Sequence, residues 1–205
     1  MTEASPRRPP RVLELVFGRF SDYVWALRPL FLLCLLLFVF SLAMGFYLGD
    51  KIPIEMLEDL LGALPDVENM NLLTLFLFIL GNNLFKSLLW MVSGVFFSLP
   101  SILFTVLNGF FIGWLSHSVR VENGLLFTVA ALVPHGIIEV PTVLLSSAAG
   151  MALGYQLVNR IRGRGSLRAE LGKALRLFIW RIAPLLLLAA ILEVTVTPLV
   201  IYLVS

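Results

Sequence analysis

Five apolar runs, each close to 20 residues or longer, divide this chain, and its charged residues gather in the short segments between them. A helix of about 20 apolar residues covers the roughly 30 Å hydrocarbon core of a bilayer. Inside that core only helices and closed barrels can pair all their backbone N–H and C=O groups. Runs this long without period-two alternation exclude a barrel. The chain is therefore expected to be an all-α, polytopic membrane bundle of about five transmembrane helices with short interfacial helices. Composition agrees: 59% of the residues are hydrophobic and 14% charged, against about half and a quarter in soluble proteins.

Residues 1–28 form an N-terminal segment that carries Arg7, Arg8, Arg11, Arg19 and Arg28. Its apolar residues from Val12 to Trp25 recur at spacings of three and four, as in a helix lying on the membrane surface with Tyr23 and Trp25 at headgroup level. Residues 29–205 are read as a single transmembrane domain. The expected spans are Leu30 to Leu48, Leu72 to Ser93, Phe96 to Val119, about His135 to Val158, and Ile182 to Val204. The acidic segment 50–71 is expected to hold a surface helix from Ile54 to Leu64. Pro134 should break the apolar stretch after Gly124, leaving 125–133 interfacial or re-entrant. The basic loop 160–181 should turn at Gly163-Arg164-Gly165 and be amphipathic over 167–180.

Lysine and arginine number five in residues 1–28 and seven in 160–181, but one each in 50–71 and 120–124. Five spans put the two basic segments on one side, and by the positive-inside rule that side is cytoplasmic. The reading is a multi-pass protein of the cell membrane with N-terminus inside and C-terminus outside. No short apolar stretch with a cleavage site precedes the first span, which is expected to be retained. Nucleic-acid binding has no support, because the basic residues stand where a membrane protein keeps them. The one cysteine, Cys34, has no partner for a disulfide and reads as an apolar filler.

Polar residues inside the spans are the candidates for function. His135 and Glu139, four apart, share a helix face; Glu193 stands in the last span; Asn82, Asn83 and Asn108 lie deep in the second and third. At 1.5 Å per residue, Glu139, Glu193, Asn108 and Asn82 come at about 5, 9, 12 and 15 Å below the outer surface. The same residues serve three readings: polar glue of a scaffold, a proton- or cation-coupled transport site using Glu139 and His135, or a metal-dependent hydrolase. No cofactor is expected; a zinc ion, if held, would take His135, Glu139 and Glu193, and His-Glu-x-x-His is absent. Lys86, one turn past Asn82, reads as snorkelling to the nearer interface, and His117 as a solvated residue at the end of its span. Two ladders of small residues, Gly109 with Gly113 and Ser146 with Gly150 and Gly154, allow close helix approach within the bundle or across a homodimer.

Asn82-Asn83, Asn108-Gly109 with Gly113, and Pro134-His135-Gly136-Ile137-Ile138-Glu139 together resemble the stage II sporulation protein M family, over about Arg19 to Val204. The family includes archaeal relatives that do not sporulate. The resemblance implies a helical membrane protein acting as a scaffold for envelope proteins, not an enzyme. The expected partners are the lipid bilayer, a second copy of the chain and another membrane or envelope protein.

Overall fold

The computed structural model describes residues 19–52 and 70–204, and at positions 19–21, His135 and 204 the backbone only. The predicted surface helix from Ile54 to Leu64 and most of the N-terminal segment lie outside the described residues. Among those described there is no strand, and five helices are long and apolar enough to cross a membrane. The order is α1 (Arg19–Ala26), α2 (Arg28–Tyr47), a 3₁₀ turn (Gly49–Lys51), α3 (Leu72–Ser93), and one long helical stretch, Leu99–Ile161. Gly124, at φ 85° and ψ 169°, folds that stretch into a hairpin of α4 (99–123) and α5 (125–161). Last come α6 (Leu167–Leu177), a π-helical turn (Phe178–Ile182) and α7 (Ala183–Val204).

Local chemistry explains these boundaries. Asn71 caps α3, its side chain accepting from the Thr74 N–H at 2.9 Å, and Ser166 caps α6 in the same way through Ala169. Pro29 and Pro100 sit in first turns, where a missing N–H costs nothing. Gly163 and Gly165, both at positive φ, make the turn into α6. In the π-helical turn the Ala183 N–H reaches back to the Phe178 carbonyl, one residue further than in an α-helix. The extra residue comes just before Pro184, which has no N–H to donate and would crowd the carbonyl four residues back. The predicted basic loop is thus mostly helix, running through α6 into the last span.

Pro134 does not break the chain. Both it and Pro141 lie within α5. A spanning helix tolerates proline because neighbouring helices and side chains can take up the freed backbone groups. The break falls instead at Gly124, so 125–133 is the first part of a continuous helix and not a separate interfacial or re-entrant piece.

Helix α5 is the central element. More than half of its apolar stretch is buried, 56%, against 6% for α3. One core, with Cys34, Phe38, Leu144, Ala148 and Met151, joins α2 to α5. Cys34 is fully buried and its thiol points at the Met151 sulfur, 3.4 Å away, as an apolar filler should. A second core, with Tyr23, Leu27, Met91, Leu153, Leu177, Ile182 and Leu186, ties α1, α3, α5 and α6 to α7 at one end of the bundle. Tyr23 is buried in that core instead of lying open on the surface; Trp25 is exposed, with the Arg28 guanidinium over its ring.

Both glycine ladders are occupied within the chain. A Cβ on Gly109 would meet Ser41 and the Phe38 carbonyl, and one on Gly113 the Leu42 carbonyl, so this ladder is the seam between α4 and α2. Gly150 and Gly154 receive the turn between α3 and α4: Cβ atoms there would strike Ser101, Ser98 and Gly94. Phe97 and Ser98 in that turn both have positive φ, and Ser98 Oγ donates to the Met151 carbonyl at 2.9 Å. Ser146 Oγ likewise donates to the Ser87 carbonyl of α3 at 2.7 Å. The ladder on α5 is therefore not free to pair two copies of the chain.

Candidate polar site in the middle of the bundle

Helices α3 and α5 run in the same direction. Ser146 meets Ser87, Gly150 meets Met91, and one turn further out the Asn83 Nδ2 group donates to Glu139 Oε2 at 2.9 Å. Asn83 is 11 residues from the start of α3 and 10 from its end. Glu139 is therefore near mid-depth, about 15 Å from either end of α3, and not about 5 Å below the outer surface. The correction follows directly from the unbroken α5.

The pair lines a cavity of about 260 Å³ between α3, α4 and α5, with Phe38 of α2 at its edge. Its polar lining comprises Asn82, Asn83, Lys86, Ser87, Thr105, Asn108 and Glu139, and Phe104, Phe111, Leu115 and Leu132 are among the apolar residues that close it. Asn82 Nδ2 faces Asn83 Oδ1 at 3.5 Å, the outer limit of a hydrogen bond, so Asn82 orients Asn83 and Asn83 meets the carboxylate. Thr105 Oγ1 is turned to its own helix, donating to the Ser101 carbonyl.

Four of the six residues expected at an intramembrane site are thus brought together: Asn82, Asn83, Asn108 and Glu139. Glu193, half-buried on α7, does not line this cavity. The backbone of His135 continues α5 one turn before Glu139, and its side chain lies outside the described residues. Among the described residues, no three His, Cys, Asp or Glu side chains are grouped to hold a metal ion.

Lys86 was missed as a lining residue. Helical side chains lean toward the N-terminus of their helix, which for α3 is away from the nearer end at Ser93, so snorkelling is opposed. At His117 too the structure differs from the expected solvated residue. Its Nε2 meets Asp50 Oδ1 at 2.8 Å, its ring packs edge-on against Phe46 with centroids 5.3 Å apart, and its side chain is only 13% exposed. Gly49 makes room for that ring, since a Cβ there would collide with it. The contact fastens the end of α2 to α4 and has no part in the cavity.

The fold and this cluster define a polytopic helical membrane protein with a polar centre on an otherwise apolar bundle. The family model of Stage II sporulation protein M matches residues 34–198, and the chain belongs to that family. It is similar to an uncharacterized protein of Methanocaldococcus jannaschii, with 29% identity over 171 residues, covering 82% of this chain and 93% of the relative. No solved structure matches the chain.

Proposed function

We propose that the protein is a non-catalytic membrane scaffold whose α3 face receives a spanning helix of a partner protein. One observation carries this reading: α3 is the least buried of the spans, yet it holds an exposed lysine one turn from its middle. A lysine at the centre of a spanning helix costs about 2.5–3.5 kcal/mol on insertion scales, which a lipid-facing position does not recover. Beside Lys86 the uncovered face presents Leu77, Phe85 and Leu89, together with Gly81, where an added Cβ would meet nothing within 4 Å. A notch flanked by large apolar side chains suits the close approach of a second helix. The ammonium calls for a partner carrying a carboxylate at the same depth.

A photo-crosslinking residue placed at Phe85, with a matching one at Leu36 on the outer side of α2, tests the proposal in native membranes. The expected outcome is a crosslink to another membrane protein from position 85, none from 36, and loss of the adduct in Lys86→Glu. Crosslinking only between differently tagged copies would make the partner a second copy of the chain, and lipid adducts alone would end the reading.

A second reading keeps one specific support, the Asn83–Glu139 hydrogen bond in the central cavity. There Glu139 would exchange a proton or cation. Proteoliposomes with a pH or cation gradient would show flux in the wild type and none in Glu139→Gln; equal fluxes in both remove it. The hydrolase reading has no such support in the geometry described. With the basic segments cytoplasmic, the N-terminus is inside and the C-terminus outside.

A further inference from the structure

Helix α5 is longer than a membrane is thick. From Glu139 it continues 22 residues to Ile161, about 33 Å, so its last turns pass beyond the hydrocarbon core. There α1 and α6 lean against it and enclose a second cavity, of about 370 Å³, lined by Tyr23, Leu27, Leu30, Ala152, Gln156, Glu170 and Lys173, among others. This cavity is at headgroup depth, where α1 leads into the first span and α6 into the last.

The chemistry of its wall is unusual for a packing defect. Glu170 is on the inner face of α6, in line with the buried Ala174 and Leu177, and is only 7% exposed. Its one ion-pair partner among the described residues is Lys173, at 3.1 Å, whose side chain is half exposed at the rim. The Tyr23 hydroxyl is buried beside Glu170 without completing a well-formed hydrogen bond among the described residues, and Lys173 Nζ stands 5.7 Å from its ring centre. Burial first, then the charge of the neighbouring Glu170, raises the Tyr23 phenol far above its ordinary range, so it stays a neutral hydroxyl. A buried carboxylate with a single half-solvated partner is costly. The space beside it has room for about a dozen waters at roughly 30 Å³ each, enough for a ligand.

We propose that this cavity binds a phosphate-linked primary amine, presented at this depth by a phospholipid headgroup. The three N–H donors of a primary ammonium match Glu170 and the Tyr23 hydroxyl, and the Tyr23 ring offers the face a cation prefers. Lys173 then turns from Glu170 to the phosphate at the rim, and the acyl chains leave along Leu27 and Leu30. A trimethylammonium brings no N–H donor, and a glycerol headgroup brings no cation to Glu170, so both are discriminated against. The inference does not depend on the scaffold reading, whose surface is on α3.

Native mass spectrometry of the full chain, released from micelles doped with equal amounts of phosphatidylethanolamine, phosphatidylcholine and phosphatidylglycerol, tests it. The expected result is about tenfold preferential retention of phosphatidylethanolamine, the factor that one charge-assisted hydrogen bond supplies. Glu170→Gln should abolish the preference and Tyr23→Phe should reduce it severalfold. Tyr23→Phe removes one oxygen and no carbon, so it decides the matter should Glu170→Gln fail to fold. Equal retention of the three lipids by the wild type overturns the proposal, as does a preference undiminished in Tyr23→Phe. A parallel arm uses glycerophosphoethanolamine without acyl chains: binding as tight as the lipid's would overturn the lipid as source, and its failure to bind would support it.

Discussion

Asn83 donates to a carboxylate near the bilayer's centre, and that one contact makes the middle of α3 and of α5 interdependent. Hydrogen bonds between spanning helices average somewhat under 1 kcal/mol. Asn83→Leu should therefore lower the unfolding free energy of the purified protein by about 1 kcal/mol. Asn82→Leu, whose own contact is at the 3.5 Å limit, should cost less. Thermal unfolding in detergent orders the two; equal losses would mean that the 2.9 Å contact contributes nothing of its own. The asparagines and Glu139 were legible because a polar residue inside an apolar run has few places to go. Which of them meet was not. Glu193 stands in a helix apolar on every side, so no stripe in the sequence reveals the face it occupies, and the structure keeps it out of the cavity that the other acid lines. The headgroup-level cavity did leave a trace in the sequence: Glu170 is the one acid in a basic segment and falls on its apolar stripe.

Among the elements, glycines set how closely the helices approach, and the sequence shows them without saying what they touch. Gly113 is pressed against the Leu42 carbonyl of α2, whereas Gly136 has nothing within 4 Å. The two should respond oppositely to alanine. Gly113→Ala must push α2 and α4 apart, with a loss of about 1–3 kcal/mol, as overpacked sites show. Gly136→Ala meets no neighbour and should gain up to about 1 kcal/mol from helix propensity. Tm values in a single detergent would check both, and a stabilising Gly113→Ala would contradict the seam. The five spans were readable from apolar length alone. The continuity of α5 was not, because proline's effect on a soluble helix was carried into a setting where packed neighbours restore the backbone. Misplacing that one break displaced Glu139 by roughly 10 Å, at 1.5 Å per residue.

At the scale of the whole molecule, the basic segments gather at one end. Arg28, at the start of α2, shares that end with Arg160, Arg162, Arg164, Arg168, Lys173, Arg176 and Arg181, because α1 and α6 meet in one core with the ends of α3 and α5. The opposite end carries the His117–Asp50 pair and the Gly124 hairpin. Charge counting on the sequence needed an odd number of spans to put both basic segments together, and the described residues hold five. The positive-inside rule then predicts that the basic end faces the cytoplasm. Cys34 is fully buried and should resist a membrane-impermeant thiol reagent, so the native chain serves as its own blank. In intact cells a cysteine introduced as Glu122→Cys should be labelled from outside, and one introduced as Arg164→Cys only after the membrane is opened. Both positions are exposed, so an unreactive site reports the side it faces and not burial. The reverse pattern would invert the protein, moving the amine-binding cavity to the outer leaflet and leaving the α3 face where it is.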